Sequence, residues 1–250
     1  MRIIKNWFYK LSELLSLPLK NGLYKGGSIN SIIIDDNLVV AIFDDLNFSH
    51  PQSLPIKEGR SYNIEIWENS RVEFYWVIEN TSDFKINFLQ NKPSSNLIVR
   101  YLLLSKNDEK VKAKIYSKLL ANNIKSDVHI ISIIWNYWFV DLDWIIEIAE
   151  WTEKVEAKLI EENIFLWSSW KVKGIPTLLV RSNDVKASHA CKMERISDEK
   201  LFYLRARWIW KENAIFMLVE SYILSMFMCL SMIDEAFYKE LFDNIIKKIK

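Results

Sequence analysis

Apolar residues at the start of the chain recur with the period of an α-helix. The helical face comprises Ile3, Ile4, Trp7, Phe8, Leu11, Leu14 and Leu15, and Pro18 follows it. From Ile29 to the run "NLIVRYLLL" the pattern changes to short segments in which apolar and polar residues alternate. Alternation with turn residues between the segments is typical of an antiparallel meander with one buried face. We therefore predict an N-terminal helix and an antiparallel β-rich domain over residues 1–105.

The second part of the chain has a mixed pattern. The run "VHIISIIW" predicts a buried strand, and a helix is predicted over 143–162, where Trp144, Ile148, Trp151, Val155 and Leu159 share one face. Two extended stretches flank the polar turn "RSND", a helix begins in "ISDEKLFYL", and the terminal "IDEAFYKELFDNIIKKIK" predicts an amphipathic helix. The sequence thus indicates an α+β fold, with an α/β domain and a C-terminal helical extension over residues 106–250.

The segment "KVKGIPTLLVRSNDVKAS" resembles the proline loop and central hairpin of thioredoxin-like proteins. Upstream, "IIWNYWFVDLDWI" places Trp135 and Trp138 on that family's paired tryptophans, and Phe139 and Leu142 on its two cysteines. The resemblance covers residues 128–204 and implies a thioredoxin-like unit with a cis bond before Pro176. A proline that begins a strand is the alternative, and it needs no cis bond. Since neither Phe nor Leu supplies a thiolate, the resemblance implies a redox-inactive unit.

A thioredoxin-like fold also implies a peptide-binding groove beside the proline. Trp138, Phe139, Ile175 and Pro176 would line this groove, where an extended peptide adds backbone hydrogen bonds. The alternative for the tryptophans is that they pack in the core. The resemblance therefore predicts a non-catalytic accessory module that binds a protein or an extended peptide.

Two other functions remain open on the sequence. His189 and Cys191 lie two residues apart in an extended stretch, so their side chains share a face, and an imidazole beside a thiol suits a thiol-dependent oxidoreductase. The other alternative is an interaction or immunity-type protein unrelated to thioredoxin, which is suggested by a composition of 11 Trp and only 5 Gly. We expect no cofactor and no metal site.

Charge and cysteine content narrow the choice of partners. The chain has 33 Lys and Arg against 32 Asp and Glu, so no global field favours nucleic acid, and the two arginines of "YLRARWIWKEN" are a small basic footprint. With only Cys191 and Cys229, a disulfide framework is not expected, and a reducing compartment, the cytoplasm, is predicted.

The stretch "AIFMLVESYILSMFMCLSM", residues 214–232, is nearly long enough to cross a bilayer. Glu220 and three serines interrupt it, so we do not expect a membrane span. A helix that is apolar all round is typical of a buried core helix or of an oligomer interface. We expect a core helix or a homo-oligomer formed through this segment, and the N-terminal amphipathic helix to dock on the core, on a membrane or on a partner.

Overall fold

The computed structural model describes residues 2–3, 7–10, 31–44, 60–79, 82–105, 110–134, 139–166 and 171–249. Seven of the described strands form a first sheet: β1 (Arg2–Ile3), β3 (Ser31–Ile34), β5 (Arg60–Ile66), β7 (Ser82–Gln90), β9 (Lys110–Leu119), β11 (Phe139–Ile148) and β13 (Lys171–Val180). Seven form a second sheet: β2 (Trp7–Lys10), β4 (Val39–Asp44), β6 (Arg71–Glu79), β8 (Asn96–Ser105), β10 (Lys125–Ile134), β12 (Glu153–Phe165) and β14 (Asp184–Arg195). Three helices follow: α1 (Asp198–Arg205), α2 (Lys211–Ile233) and α3 (Glu235–Ile249).

The two sheets belong to a solenoid in which the chain alternates between them. Each coil contributes one strand to the first sheet and the next strand to the second sheet, and all neighbouring strands are parallel. Paired residues of successive coils lie 24 to 33 positions apart in sequence, from the Ile66 to Gln90 pair to the Trp7 to Val40 pair. Because each coil stacks on the previous one, the outermost of the described strands, β1 and β2 at one end and β13 and β14 at the other, each pair with one described strand only.

The core lies between the two sheets and is built by simple alternation. In β11 the buried apolar residues are Val140, Leu142, Trp144, Ile146 and Ile148, and in β12 they include Val155, Ala157 and Leu159. Successive side chains of a strand point to opposite faces, so every second residue enters the interior. The interior side chains of neighbouring coils form continuous apolar columns.

The corners between the first and second sheets repeat one backbone conformation. Two residues before the second-sheet strand, Asn37, Asn69, Ser94, Asn123 and Trp151 have φ between 53° and 65°. Asn tolerates the left-handed region because its short side chain bonds locally, whereas a bulky aromatic residue there is an outlier. Trp151 is also 91% exposed, so it gains no packing in return.

The outer face of the second sheet is covered by α2 and α3. Ala41, Phe43, Tyr75, Leu102 and Ile131 of the sheet form a second apolar cluster with buried residues of both helices: Val219, Ile223, Met226, Phe227, Leu230, Leu241 and Ile245. The ring of Phe43 meets Phe237 edge-on, with centroids 5.0 Å apart. The molecule therefore has three layers over much of its length: first sheet, second sheet and helices.

The prediction of an N-terminal helix and an antiparallel meander is wrong. Residues Trp7–Lys10 form β2, which pairs with β4, and the remainder of the predicted helix lies outside the described residues except for β1. The strands expected to form a meander pair in parallel with strands two positions along the chain. Alternation of apolar and polar residues fixes which face of a strand is buried, but it does not fix the direction of its neighbour.

The prediction of a thioredoxin-like unit over residues 128–204 is also wrong, because the helix on which it depends is not formed. Residues 143–162 are not a helix, since they span the end of β11, the corner at Trp151 and the first part of β12. The spacing of Trp144, Ile148, Val155 and Leu159 fits a helix as well as two strands separated by a corner. The second sheet continues across residue 105, since β8 pairs with β10. The division of the chain into domains at residues 1–105 and 106–250 stays a prediction.

Several local predictions are confirmed. The run "VHIISIIW" is mostly part of the buried strand β10, α1 begins at Asp198 with the Ser197 hydroxyl accepting a hydrogen bond from the Lys200 amide (3.2 Å), and α3 is amphipathic with Leu241 and Ile245 buried. By length and composition alone α2 is one helix among the described residues that could cross a membrane, with a mean hydropathy of 1.8. Its inner face is packed on the second sheet.

Candidate functional site

The last coil presents His189 and Cys191 on a free sheet edge. Both side chains project from β14, the final strand of the second sheet, and both are exposed. By the two-residue alternation of a strand they share the face of Val185 and Ala187, which pack against the end of the core. The pair therefore lies where the interior of the solenoid opens to solvent.

A buried carboxyl group lies next to Cys191. Glu161 of β12 is the ladder partner of Cys191, and only 2% of it is exposed. Its Oε1 accepts a hydrogen bond from Asn163 Nδ2 (2.7 Å), while Asn163 Oδ1 is buried and has no hydrogen-bond partner among the described residues. Burial raises the pKa of the Glu161 carboxyl above its ordinary value, and the bond from Asn163 offsets only part of this effect. The open end thus contains a polar cluster in an otherwise apolar interior.

Gly174 of β13 makes room for this carboxyl group. A Cβ added to Gly174 would lie 2.9 Å from Cδ of Glu161, closer than carbon atoms pack. Glycine permits the backbone of the first sheet to approach a side chain from the second sheet. Gly174, Glu161 and Cys191 accordingly belong to one layer of the last two coils.

The Cys191 thiol is not activated as a nucleophile. Partial burial raises its pKa, and the negative charge of Glu161 raises it further. Reactive cysteines instead have a lowered pKa, produced by nearby cations or a helix N-terminus. Cys191 is therefore a protonated thiol at neutral pH.

Ion pairs on the opposite face of β14 join this strand to β12 and to α1. Glu162 accepts from His129 (2.8 Å) and Lys192 (3.3 Å), and Lys192 also reaches Glu194 (2.5 Å). Glu194 in turn pairs with Lys200 of α1. Hydrogen bonds from Lys192 and Lys200 hold the pKa of the Glu194 carboxyl below its usual value. The network fixes α1 against the last strand and leaves the His189 and Cys191 face free.

The region that builds this end matches a known protein family. Residues 62–222 match the model of the SufBD core domain of the SUF system of FeS cluster assembly. The chain belongs to the SufBD core-domain family. It is also similar to the iron-sulfur cluster assembly protein SufD of Escherichia coli (strain K12), with 31% identity over 78 residues. That alignment covers 31% of this chain and 18% of the relative, so the chain matches a small part of SufD. The predicted membership in the thioredoxin-like proteins is therefore wrong, and the SufBD core-domain family is correct.

The residues of the predicted peptide groove lie apart or outside the described residues. Trp138 falls in the undescribed segment 135–138, and Phe139 begins β11 opposite Lys171. Pro176 pairs with Trp144, five ladder positions and roughly 16 Å further along. The cis bond is wrong, since the described residues contain no cis peptide bond. Pro176 instead lies on an edge strand, where its missing N–H leaves no ladder partner unsatisfied.

Sequence reasoning singled out His189 and Cys191 but missed Glu161, Asn163 and Gly174. A signal was present in "VEAKLIEENIF": the alternation that buries Val155, Ala157 and Leu159 also buries Glu161 and Asn163. Because the periodicity of this segment also fits a helix, the core positions of Glu161 and Asn163 are not recognised from the sequence. Among the described residues, no three His, Cys, Asp or Glu side chains come together as a metal site.

Proposed function

We propose that the chain is a non-catalytic scaffold of iron-sulfur cluster assembly that holds iron and sulfide at the open end of its solenoid. One observation carries this proposal: His189 and Cys191 are exposed on one face of the free edge strand β14, within the region that matches the SufBD core domain. The name of the similar SufD protein, an iron-sulfur cluster assembly protein, agrees with this proposal.

The chemistry of the two side chains suits this cargo. Iron in iron-sulfur clusters is held by cysteine thiolates, and histidine replaces cysteine at some irons. Iron binding at Cys191 releases the thiol proton, so the affinity should rise with pH. Exposure on an edge strand lets cargo enter and leave, which a transient holder requires.

Two ligands do not complete the coordination of an iron ion or a cluster. We infer that a protein partner supplies the others at the same edge. The strands β13 and β14 are free edges, and an extended segment of a partner can add backbone hydrogen bonds to either. The sequence predicts peptide binding at Ile175 and Pro176, and we propose that a partner contacts β13 at these two residues. We place the assembly in the cytoplasm, the reducing compartment that the two free cysteines favour.

A thiol-dependent enzyme has less support. Such an enzyme needs Cys191 as a thiolate at neutral pH, and both burial and Glu161 raise the pKa of this thiol. The imidazole of His189 is exposed rather than buried against the sulfur.

Anaerobic reconstitution with ferrous iron and sulfide tests the proposal, with glutathione present to fill the remaining coordination positions. We expect the wild-type chain to retain iron and sulfide after gel filtration and to show sulfide-to-iron absorption in the visible range. Cys191→Ser should lower the retained iron at least fivefold, and His189→Ala should lower it in the same direction.

Cys229→Ser is the matched control, since Cys229 is the other exposed cysteine and lies on α2. It should retain as much iron as the wild type. The proposal is wrong if Cys191→Ser and Cys229→Ser retain equal amounts.

A further inference from the structure

The segment that joins α1 to α2 carries two exposed tryptophans. Trp208 is 95% exposed and Trp210 is 79% exposed. We call residues 203–211 the tryptophan corner, which also contains the exposed side chains of Tyr203, Arg205, Arg207 and Lys211. Two tryptophans that leave their rings in water within three residues are typical of a contact surface.

The backbone presents Trp208 outward at a cost. Its φ is 65°, in the left-handed region, where a bulky residue is an outlier and where the end of a helix usually has glycine. The Trp208 amide donates to the carbonyl oxygen of Arg205 (2.9 Å), so the strained residue belongs to the hydrogen-bonded end of α1. Because the ring is almost fully exposed, packing within the molecule does not offset the strain.

Charge distinguishes Trp208 from the other strained tryptophan of the chain. Trp151 also has a φ of 65° and is 91% exposed, so strain and exposure alone do not define a site. Trp151 has the exposed acids Glu150 and Glu153 on either side, with Lys154 next to them. The surroundings of Trp208 are of the opposite sign.

All the charged residues between Glu199 and Glu212 are cations. One of them, Lys200, pairs with Glu194 of β14. The other three, Arg205, Arg207 and Lys211, have no ion pair among the described residues. The tryptophan corner is therefore a small cationic and aromatic surface without a counter-charge of its own.

The acids nearest to the corner leave it cationic. Asp198 and Glu199 are in the first turn of α1, roughly 9 to 10 Å along the helix axis from Arg205, which is about one Debye length. Glu212 is in the first turn of α2, about 200° around the helix from Trp210. It therefore faces away from the side on which Trp210 lies.

We propose that the tryptophan corner docks the chain on the surface of an anionic membrane. The rings of Trp208 and Trp210 lie at the level of the lipid headgroups, where an aromatic side chain with one polar N–H is favoured. Arg205, Arg207 and Lys211 meet the lipid phosphates, and each such cation strengthens binding roughly fivefold. This docking is peripheral and does not require α2 to cross the bilayer.

The degree of exposure favours lipid over a protein partner. A protein has to supply a shaped pocket for each protruding ring. The interface of a bilayer accepts aromatic rings without such a match in shape, and binding grows with the apolar area that enters it.

The exposed face of α2 extends the same surface. Met217 and Leu224 are exposed and follow Trp210 at intervals of seven residues, so the three lie on one side of the helix. The Ser221 hydroxyl between them donates to the Leu218 carbonyl (2.6 Å) and adds little polarity. The acidic end of α2 at Asp234 is about 36 Å from Trp210, so the N-terminal half of the helix approaches the lipid.

Single-stranded nucleic acid fits the corner less well, although it also binds aromatic rings beside cations. The guanidinium of Arg207 lies 4.3 Å from the centroid of the Tyr203 ring and covers one face on which a base would stack. Three cations are a small footprint for a polyanion.

Co-sedimentation of the full chain with vesicles tests the proposal. One set of vesicles is phosphatidylcholine alone, and the other is an equimolar mixture with phosphatidylglycerol. In about 0.1 M salt the wild type should bind the mixed vesicles at least tenfold more tightly, and about 0.5 M salt should remove this preference. The double variant Arg205→Gln/Arg207→Gln should bind the mixed vesicles roughly twentyfold more weakly.

Trp208→Asn should also weaken vesicle binding at least threefold, and it should be no less stable than the wild type in urea, because Asn tolerates the left-handed region. Trp151→Asn is the matched control. It removes an equally strained and exposed tryptophan beside acids, so it should leave vesicle binding unchanged.

Equal vesicle binding by Trp208→Asn and Trp151→Asn would overturn the proposal, and so would a wild type that sediments with neither set of vesicles. Binding of labelled oligothymidylate or polyglutamate in place of the vesicles, lost in Trp208→Asn, would assign the corner to a nucleic acid or an acidic protein instead. Because iron retention is measured without lipid on the β14 variants, failure here leaves the scaffold proposal standing.

Discussion

The carboxyl group of Glu161 fills the space that a side chain at position 174 would occupy. A Cβ on Gly174 would lie 2.9 Å from Glu161 Cδ, although the two residues belong to different sheets and different coils. This contact joins the edge strand β13 to the carboxyl group that neighbours Cys191. The open end of the solenoid is therefore a defined polar cluster rather than a frayed terminus.

Gly174→Ala should lower the free energy of unfolding by about 1–3 kcal/mol, because the added methyl group displaces the buried carboxyl group. In a Glu161→Ala background the same substitution should be neutral or stabilising, since Ala suits a strand better than Gly. Urea denaturation of the four proteins in this double-mutant cycle gives the coupling. Equal costs of Gly174→Ala in both backgrounds would show that the two residues do not compete for space.

Glu161→Gln should stabilise the protein at pH 8 by about 1 kcal/mol, because the buried carboxylate lacks full compensation. The folded-state pKa of Glu161 is raised above 4.5, so its contribution to stability is present below pH 4.5 and is lost as pH rises through the folded value. The advantage of Gln should therefore shrink toward pH 4.

Urea denaturation at pH 4 and pH 8 measures this difference. Glu162→Gln is the control, since Glu162 is on the opposite face and bonds His129 and Lys192, so its replacement should not stabilise. A Glu161→Gln variant less stable than wild type at pH 8 would mean that the carboxylate is well compensated.

Alkylation of Cys191 by iodoacetamide should be slow at neutral pH and should reach half its maximal rate above pH 9, because burial and Glu161 raise the thiol pKa above 9.0. Glu161→Gln should move this midpoint to lower pH by removing the nearby negative charge. Mass spectrometry of the Cys191 peptide in a Cys229→Ser background gives the rate. A midpoint near pH 7 in the unmodified chain would favour the thiol-enzyme alternative.

Trp151→Asn should raise the free energy of unfolding by about 1 kcal/mol, since a bulky residue in the left-handed region costs 1–2 kcal/mol and Asn tolerates it. Asn occupies the same corner position in three other coils, at 37, 69 and 123. Thermal and urea unfolding measure the gain. Trp151→Leu keeps the steric cost and should give no gain, so equal stability of the Asn and Leu variants would contradict this account of the corner.

The sequence predicts much of the local structure and little of the topology. Apolar alternation locates β5 to β8, β13 and β14, and the Ser197 cap and the amphipathic stripe locate α1 and α3. Parallel pairing is decided by contacts between residues 24 to 33 positions apart, as in Ile66 with Gln90 and Trp7 with Val40. The spacing varies from coil to coil, so no fixed period marks the sequence as a repeat.

Only part of the candidate site can be predicted from the sequence, because the rest depends on pairing between residues far apart in the chain. His189 and Cys191 are two residues apart, so the strand period alone places them together. Glu161 and Gly174 join them only through the stacking of coils, which no local pattern reports. The tryptophans drew attention to a thioredoxin-like groove, whereas Trp144 is a core residue of β11 and Trp151 is a solvent-exposed corner.

Iron K-edge absorption spectroscopy of the anaerobically reconstituted chain tests the central claim most directly. The account predicts iron with sulfur and nitrogen neighbours in the wild type, loss of the nitrogen contribution in His189→Ala, and loss of bound iron in Cys191→Ser. An iron spectrum that is the same in the wild type, His189→Ala and Cys191→Ser would contradict the assignment of the cargo site to β14.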